Sequence, residues 1–426
     1  MNRDDIARTV NAVWRMESPK IIAKLARMMR NVGLAEELAQ DAWVAALEQW
    51  STTGIPDNPG AWLMTTAKNR AIDQLRRQKL LEQKNSLMSH DPDLVGSHDL
   101  TDASISAADD VADDLLRLIF VACHPVLSVE GRVALTLRLL GGLTPAEIAR
   151  AFLNSESAIQ QRIVRAKRTL GEARVPFEVP GAAERADRLA SVLEVIYLIF
   201  NEGYSATAGD EWMRPALCEE ALRLGRILAE LARTEPEVHG LVALMELQAS
   251  RTPARISTSG EPILLLKQNR ALWDQLLIHR GLAALARAES FGGPLGPYSL
   301  QGAIAACHAR ARTAEETDWP RIVAIYDALH AMQPSPIVTL NRAVAVSMAY
   351  GPAAALEIVD TLRNESRLRE YHLLPSVRGD LLERLGRFDE ARAEFSRAAS
   401  LANNARERSL VLERMAACDP HVGRFN

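Results

Sequence analysis

Apolar residues recur at three- and four-residue spacings along most of the chain, and runs of β-branched residues are almost absent. That pattern predicts amphipathic helices throughout and an all-α fold. Ile21, Leu25 and Met28/Met29 mark one stripe. Leu38, Ala42, Ala45/Ala46 and Gln49 mark a second over residues 35–50. The segment STTGIPDNPG (51–60) reads as a loop by composition. A long helix is expected from near Gly60, apolar at Leu63, Ala67, Ala71 and Leu75 and strongly basic towards its end. Periodicity fades over 85–110, which is rich in Asp and Ser and reads as a flexible acidic linker. It returns over 111–172, breaks at 175–181 (VPFEVPG), and then continues as helical hairpins.

The stretch 143–170 predicts two short helices around a tight turn, the outline of a helix-turn-helix. Leu143, Ile148, Ala149 and Phe152 stripe the first helix, and Leu153-Asn154-Ser155 supplies the break, with Ser155 as N-cap. In the second helix Ile159, Ile163, Ala166 and Leu170 recur at helical spacing and face inward. Ser157, Gln161, Arg165 and Arg168 then face outward, flanked by Gln160 and Arg162. Such side chains suit base edges and phosphates.

The last third repeats. Residues 317–336 have the phase of the second helix of a tetratricopeptide repeat, with Tyr326, Leu329 and Pro334 in place. Over 372–405, Gly379, Gly386, Ala391, Phe395 and Ala398 fall in register, although Pro375 replaces an aromatic and Arg378 a leucine. Repeat starts near 303, 337 and 372 give a period of about 34, the signature of a short solenoid. Residues 185–290 read as further hairpins without a phase.

Net charge is −4 over 426 residues, so no basic coat covers the molecule. Positive charge is local: 130–175 holds eight Lys/Arg against four Glu, whereas 85–116 holds eight Asp and no Lys or Arg. The four cysteines (Cys123, Cys218, Cys307, Cys418) are far apart, which indicates neither a disulfide framework nor a zinc site. No apolar run reaches the ~18 residues of a membrane span, and the polar start MNRDDIARTV is not a signal peptide. A cytoplasmic protein is expected, with no membrane partner. Cys123-His124 lacks a second ligand pair, and Asn201-Glu202-Gly203-Tyr204 reads as a helix-connecting turn. No metal, cofactor or catalytic constellation is indicated, and the expectation is not an enzyme.

The helical block, acidic linker and terminal helix-turn-helix together resemble bacterial RNA polymerase sigma factors of the extracytoplasmic-function type. AEELAQDAWVAALEQW resembles the segment that binds the clamp of core polymerase, and PGAWLMTTAKNRAIDQLRR the reader of the minus-ten element. Trp62, Leu63, Asn69, Asp73 and Arg76 follow the family pattern in order, as does the closing triplet Arg165-Ala166-Lys167. CHP (123–125), IFNEGY (199–204) and the repeats resemble a subgroup with a tetratricopeptide-like extension.

The resemblance implies core RNA polymerase and promoter DNA as partners. It divides the chain into 1–84 (core binding, minus-ten recognition and melting), the linker 85–110, and 111–174 (minus-thirty-five recognition). Hairpins follow over 185–290 and repeats over 300–426. Leu38, Gln40, Asp41 and Trp43 are the expected polymerase contacts. Trp62, Lys68, Asn69, Arg76, Arg77 and Lys79 are expected at the minus-ten element, with Asn69 beside a base taken out of the stack and Asp73 structural. Ser157, Gln160, Gln161 and Arg165 are expected near minus-thirty-five bases, with Arg162, Lys167 and Arg168 on phosphates. Gln160 and Gln161 depart from the family pattern, so base preference does not carry over. The repeats are expected to seat a protein or peptide and to regulate the sigma domains in cis. The competing reading is a helix-turn-helix regulator whose repeats sense a ligand or partner; the helix after residue 60 argues against it.

Overall fold

The computed structural model describes residues 3–89, 108–152, 154–206, 212–257 and 261–418. Most of the expected linker (90–107), and Leu153 in the turn, lie outside the described residues. Every regular element described is helical, and one isolated antiparallel bridge joins Ile256 to Pro262. The chain divides into two compact units, 1–196 and 197–426.

The first unit opens with α1 (Arg3–Met29), α2 (Val32–Thr53) and α3 (Pro59–Ser89). Asn31 caps α2 by accepting from the Leu34 amide at 3.0 Å, and Gly54 ends it at φ 83°, a conformation glycine adopts without a Cβ clash. Asn58 likewise accepts from the Ala61 amide at 3.0 Å at the start of α3. The three helices bury Ile21, Ile22, Leu25, Ala42, Ala46, Leu63, Ala67 and Ala71 together. Gln49, expected on the inward stripe, is exposed; Trp50, one residue on, is buried in its place and takes the ring of Trp62 edge-on at 5.3 Å. The loop is shorter than composition suggests, because α2 continues to Thr53, and α3 runs on through Ser89.

Next come α4 (Ala108–Ala122), α5 (Val129–Leu139), α6 (Pro145–Ala151) and α7 (Glu156–Glu172). Ser128 caps α5, and Thr144 with Glu147 forms a capping box on α6. These helices bury Leu118, Leu135, Leu137, Ile148, Ile159, Ile163 and Leu170. The same unit packs α1 against α4 and α2 against α7. The early part of α8 (Ala182–Tyr204) completes it: Ser191 donates to the Cys123 carbonyl at 2.6 Å, and Arg188 to the Phe120 carbonyl at 3.0 Å.

The second unit contains the end of α8, then α9 (Pro215–Leu231), α10 (Pro236–Ala249) and α11 (Gln275–Glu289). After them follow α12 (Pro297–Arg310), α13 (Trp319–Met332), α14 (Pro336–Tyr350), α15 (Pro352–Thr361), α16 (Leu373–Arg384), α17 (Phe388–Leu401) and α18 (Ala405–Ala417). From α12 onward each helix packs on the next. Proline opens six of these helices, from α9 to α15, where its missing N–H costs nothing. The repeat start expected near 303 falls inside α12, while 337 and 372 lie within a residue of the starts of α14 and α16.

Gly379 faces the Phe395 ring so closely that a Cβ there would sit 2.7 Å from it, which is why this repeat needs a glycine. Arg378, in place of an apolar residue, is buried and bonded to Asp360 and Glu394, both at 2.8 Å. Gly351 alone separates α14 from α15, at φ 97°. Asn404, fully buried at the start of α18, donates to the Ala206 carbonyl at 3.3 Å, joining residues 198 apart.

Candidate nucleic-acid interface

The clearest candidate surface is the outer face of α7. Its start is fixed by Ser155, whose hydroxyl accepts from the Ala158 amide at 3.2 Å and lies 3.2 Å from that of Ser157. Ile159, Ile163, Ala166 and Leu170 are buried, so the helix can present only one face. Ser157, Gln160, Gln161, Arg165 and Arg168 are exposed on it, and Arg162 is half-buried. Gln160 donates to Glu156 at 3.0 Å. Arg168 donates to Glu172 at 2.6 Å, and that hydrogen bond raises the guanidinium pKa. Val164, unremarked in the sequence pattern, is 63% exposed between Gln161 and Arg165. An apolar side chain there suits the methyl of a thymine. Its signal was its place outside the buried stripe.

Lys167 behaves differently from its neighbours. It points into the unit and pairs with Glu36 of α2, a carboxylate only 2% exposed. Arg138 of α5 donates to the same carboxylate at 2.6 Å, and Gln40 at 2.5 Å. Arg15 pairs with Glu147, and Arg27 lies 3.5 Å from Asp114. Burial pushes the Asp114 carboxyl pKa up despite Arg27 and Arg117 beside it. A glutamate one helical turn before Gln40 gave no sequence sign of this role, because its partners lie 102 and 131 residues away.

On α2 the expected polymerase contacts divide. Asp41 is exposed and lies 3.5 Å from Arg70 of α3, and Trp43 is half-buried against Trp14 at 6.1 Å between ring centroids. Gln40 is half-buried in the Glu36 cluster, and Leu38 is buried. Leu38 therefore serves the core of this unit in the present arrangement. On α3, Asn69, Arg76, Arg77 and Lys79 are exposed, Lys68 is half-buried, and Trp62 packs on Trp50. Asp73 lies 3.9 Å from Arg76, with both side chains well exposed, so the contact adds little stability.

The other motifs have packing roles. Cys123 is buried with its sulfur 3.3 Å from the Thr136 hydroxyl, and burial lifts its pKa to about 11. His124 accepts from the Val126 amide at 3.1 Å. Asn201 to Tyr204 form the last turn of α8 rather than a connecting turn. There Glu202 pairs with Arg214, and a Cβ on Gly203 would meet the Cys218 amide at 2.6 Å. Arg255, 4% exposed, lies 3.5 Å from the Tyr204 ring and 4.3 Å from the Trp212 ring. Among the described residues no group of three His, Cys, Asp or Glu could hold a metal, and no helix is long and apolar enough to cross a membrane.

Comparison with known proteins matches these surfaces to families. Residues 13–80 match sigma-70 region 2 and residues 117–170 match sigma-70 region 4. The ECF RNA polymerase sigma factor SigK of Mycobacterium ulcerans is 31% identical over 156 residues, which is 35% of this chain and 78% of that protein. The chain belongs to the ECF sigma factors. The probable ECF sigma factor SigI of Mycobacterium tuberculosis is 26% identical over 180 residues, 41% of this sigma factor and 59% of SigI. An uncharacterized protein of Rhizobium meliloti shares 46% identity over 407 residues, 94% of each chain, so it has the extension as well. Within that extension residues 188–289 match a family of unknown function (DUF6596). Yeast Tom70 superposes over 97% of this chain and 85% of its own, at 14% identity and a TM-score of 0.31, too loose a likeness to define a shared fold.

Proposed function

We propose that this sigma factor binds core RNA polymerase and directs it to specific promoters, acting as a dissociable initiation subunit without a catalytic group of its own. The polymerase performs nucleotidyl transfer in the cytoplasm. The outer face of α7 carries this reading. Its apolar stripe is spent on the core, and polar and cationic side chains are left where a duplex can reach them. Gln160, Gln161 and Arg165 read minus-thirty-five bases, while Arg162 and Arg168 hold phosphates. Lys167 joins them once it leaves Glu36. On α3, Asn69 offers both a donor and an acceptor to an unstacked minus-ten base, with Arg76, Arg77 and Lys79 on the backbone. Lys68 and Trp62 support that helix. Asp41 and Trp43 supply the exposed part of the polymerase contact, with Gln40 behind them.

The second unit regulates the first in cis, and its stacked hairpins offer a face for a protein or peptide. Transcription reconstituted from sigma-free core polymerase, this protein and DNA from upstream of its gene tests the reading. A discrete start site should appear only with the protein present, and Asn69→Ala should weaken promoter opening more than duplex binding. Core-independent duplex binding without initiation would overturn the sigma reading. A chain ending after residue 196, at the boundary of the first unit, that keeps unaltered promoter use and regulation would overturn the role in cis.

A further inference from the structure

A cavity of about 800 Å³ opens in the first unit between the α1–α2 turn, the end of α7 and the segment that follows it. Five cations line it: Arg27, Arg30, Lys167, Arg168 and Arg174, against the single carboxylate of Glu178. Three of the five are engaged by Asp114, Glu36 and Glu172. Arg30 and Arg174 are exposed, and among the described residues neither side chain has an ion-pair partner. Both follow helix ends in the left-handed region, at φ 50° and 48°, where a side chain costs about 1 kcal/mol and glycine is usual. The first turn of α2 also faces the cavity through Val32 and Gly33, and it contains no acidic residue. The amides of Val32 and Gly33 at this helix start add to a positive field that the arginines already set. The remaining wall is apolar: Val121, Leu170, Val175 and Phe177.

We propose that this cavity binds an organic phosphate: a phosphoanhydride held by Arg30 and Arg174, with an apolar or aromatic body against Val121, Val175 and Phe177. Each guanidinium can match phosphate oxygens in a planar, bidentate geometry that a hydrated lysine does not. The ligand draws on both α2 and α7, so it binds the arrangement in which these helices are packed. It also engages Arg168, a cation that promoter phosphates would need. Occupancy therefore favours the packed form and opposes duplex binding by differential affinity.

Calorimetric titration of the full chain with adenosine diphosphate and with inorganic pyrophosphate, without divalent metal, tests this apart from any polymerase assay. Adenosine diphosphate should bind saturably, and pyrophosphate at least about tenfold more weakly, since it lacks the part that meets the apolar wall. The double variant Arg30→Gly/Arg174→Gly should lose at least about tenfold in affinity. Glycine takes both backbone conformations without strain, so this variant keeps its fold. Arg162→Ala/Arg165→Ala, on the outer face of α7, should leave the affinity unchanged. No saturation, equal affinity for the two probes, an unaffected glycine variant, or an equal loss in the α7 variant would each overturn the proposal.

Discussion

Glu36→Gln should loosen the packing of α2 on α7 more than any surface change nearby. The wild-type carboxylate is 2% exposed, and its two cationic partners, Arg138 and Lys167, have side chains only 14% and 19% exposed. Removing the charge leaves two desolvated cations facing each other, and truncating one partner of a buried pair costs about 3–5 kcal/mol. Glutamine retains one hydrogen bond to Arg138, worth about 1 kcal/mol, so the expected loss is about 2–4 kcal/mol. For a unit of this size each kcal/mol moves the melting temperature by about 2–4 °C, and the expected fall is about 5–15 °C. Hydrogen exchange read by mass spectrometry on α2 and α7 peptides measures this in the full chain. Glu37→Gln, on the exposed next residue, is the control and should stay within about 0.5 kcal/mol. A double-mutant cycle with Lys167→Met should show coupling above about 1 kcal/mol. Equal protection in the Glu36 and Glu37 variants would refute the reasoning.

Three further outcomes are expected. Arg168→Ala should make the salt dependence of promoter binding by the polymerase complex shallower by about 0.9 in the log–log slope, the loss of one phosphate contact; an unchanged slope would place Arg168 off the backbone. His308 is 8% exposed against Trp319, and burial, with Arg251 and Arg270 nearby, lowers its pKa to about 4. The unfolded chain therefore takes up a proton below about 6.5 that the folded chain refuses. Stability present above that pH should fall by about 3 kcal/mol as pH drops to about 4. Urea unfolding of His308→Gln across this range should lack that component, and identical pH dependence would refute the assignment. Gly379→Ala should destabilise the second unit by about 1–3 kcal/mol, because its Cβ would press on the fully buried Phe395 ring; an unchanged urea midpoint would refute it.

The fold was legible wherever one helix face had to be apolar. Ile159, Ile163, Ala166 and Leu170 are the buried side of α7, and Leu63, Ala67 and Ala71 that of α3, because a 3.6-residue period leaves no alternative once one face is buried. Ser155 was legible as a cap for a local reason, its bond to an amide three residues on. Gln49 was misplaced because a stripe drifts across a 22-residue helix, and Trp50 buries far more surface. Lys167 was legible as a cation but not as the partner of Glu36, since periodicity carries no information about pairs 131 residues apart. The exposure of Arg165 and Arg168 was legible from what the stripe leaves over. Leu38 was not, because an apolar residue reads the same in an interface and in a core.

The bond between Asn404 and Ala206 alters how the second unit must assemble. An array in which each helix meets only the next closes short loops; Arg342 and Asp327, for example, are 15 residues apart. The Asn404 clasp closes 198 residues, nearly four doublings more, and that adds roughly 2 kcal/mol of loop-closure entropy. A free chain has little reason to make such a contact early. Once the intervening hairpins are stacked their ends are already near each other, and the entropy has been surrendered piecemeal. The clasp then transmits the loss of any one hairpin to both ends, so a structure built like a nearest-neighbour chain should melt as a single ring.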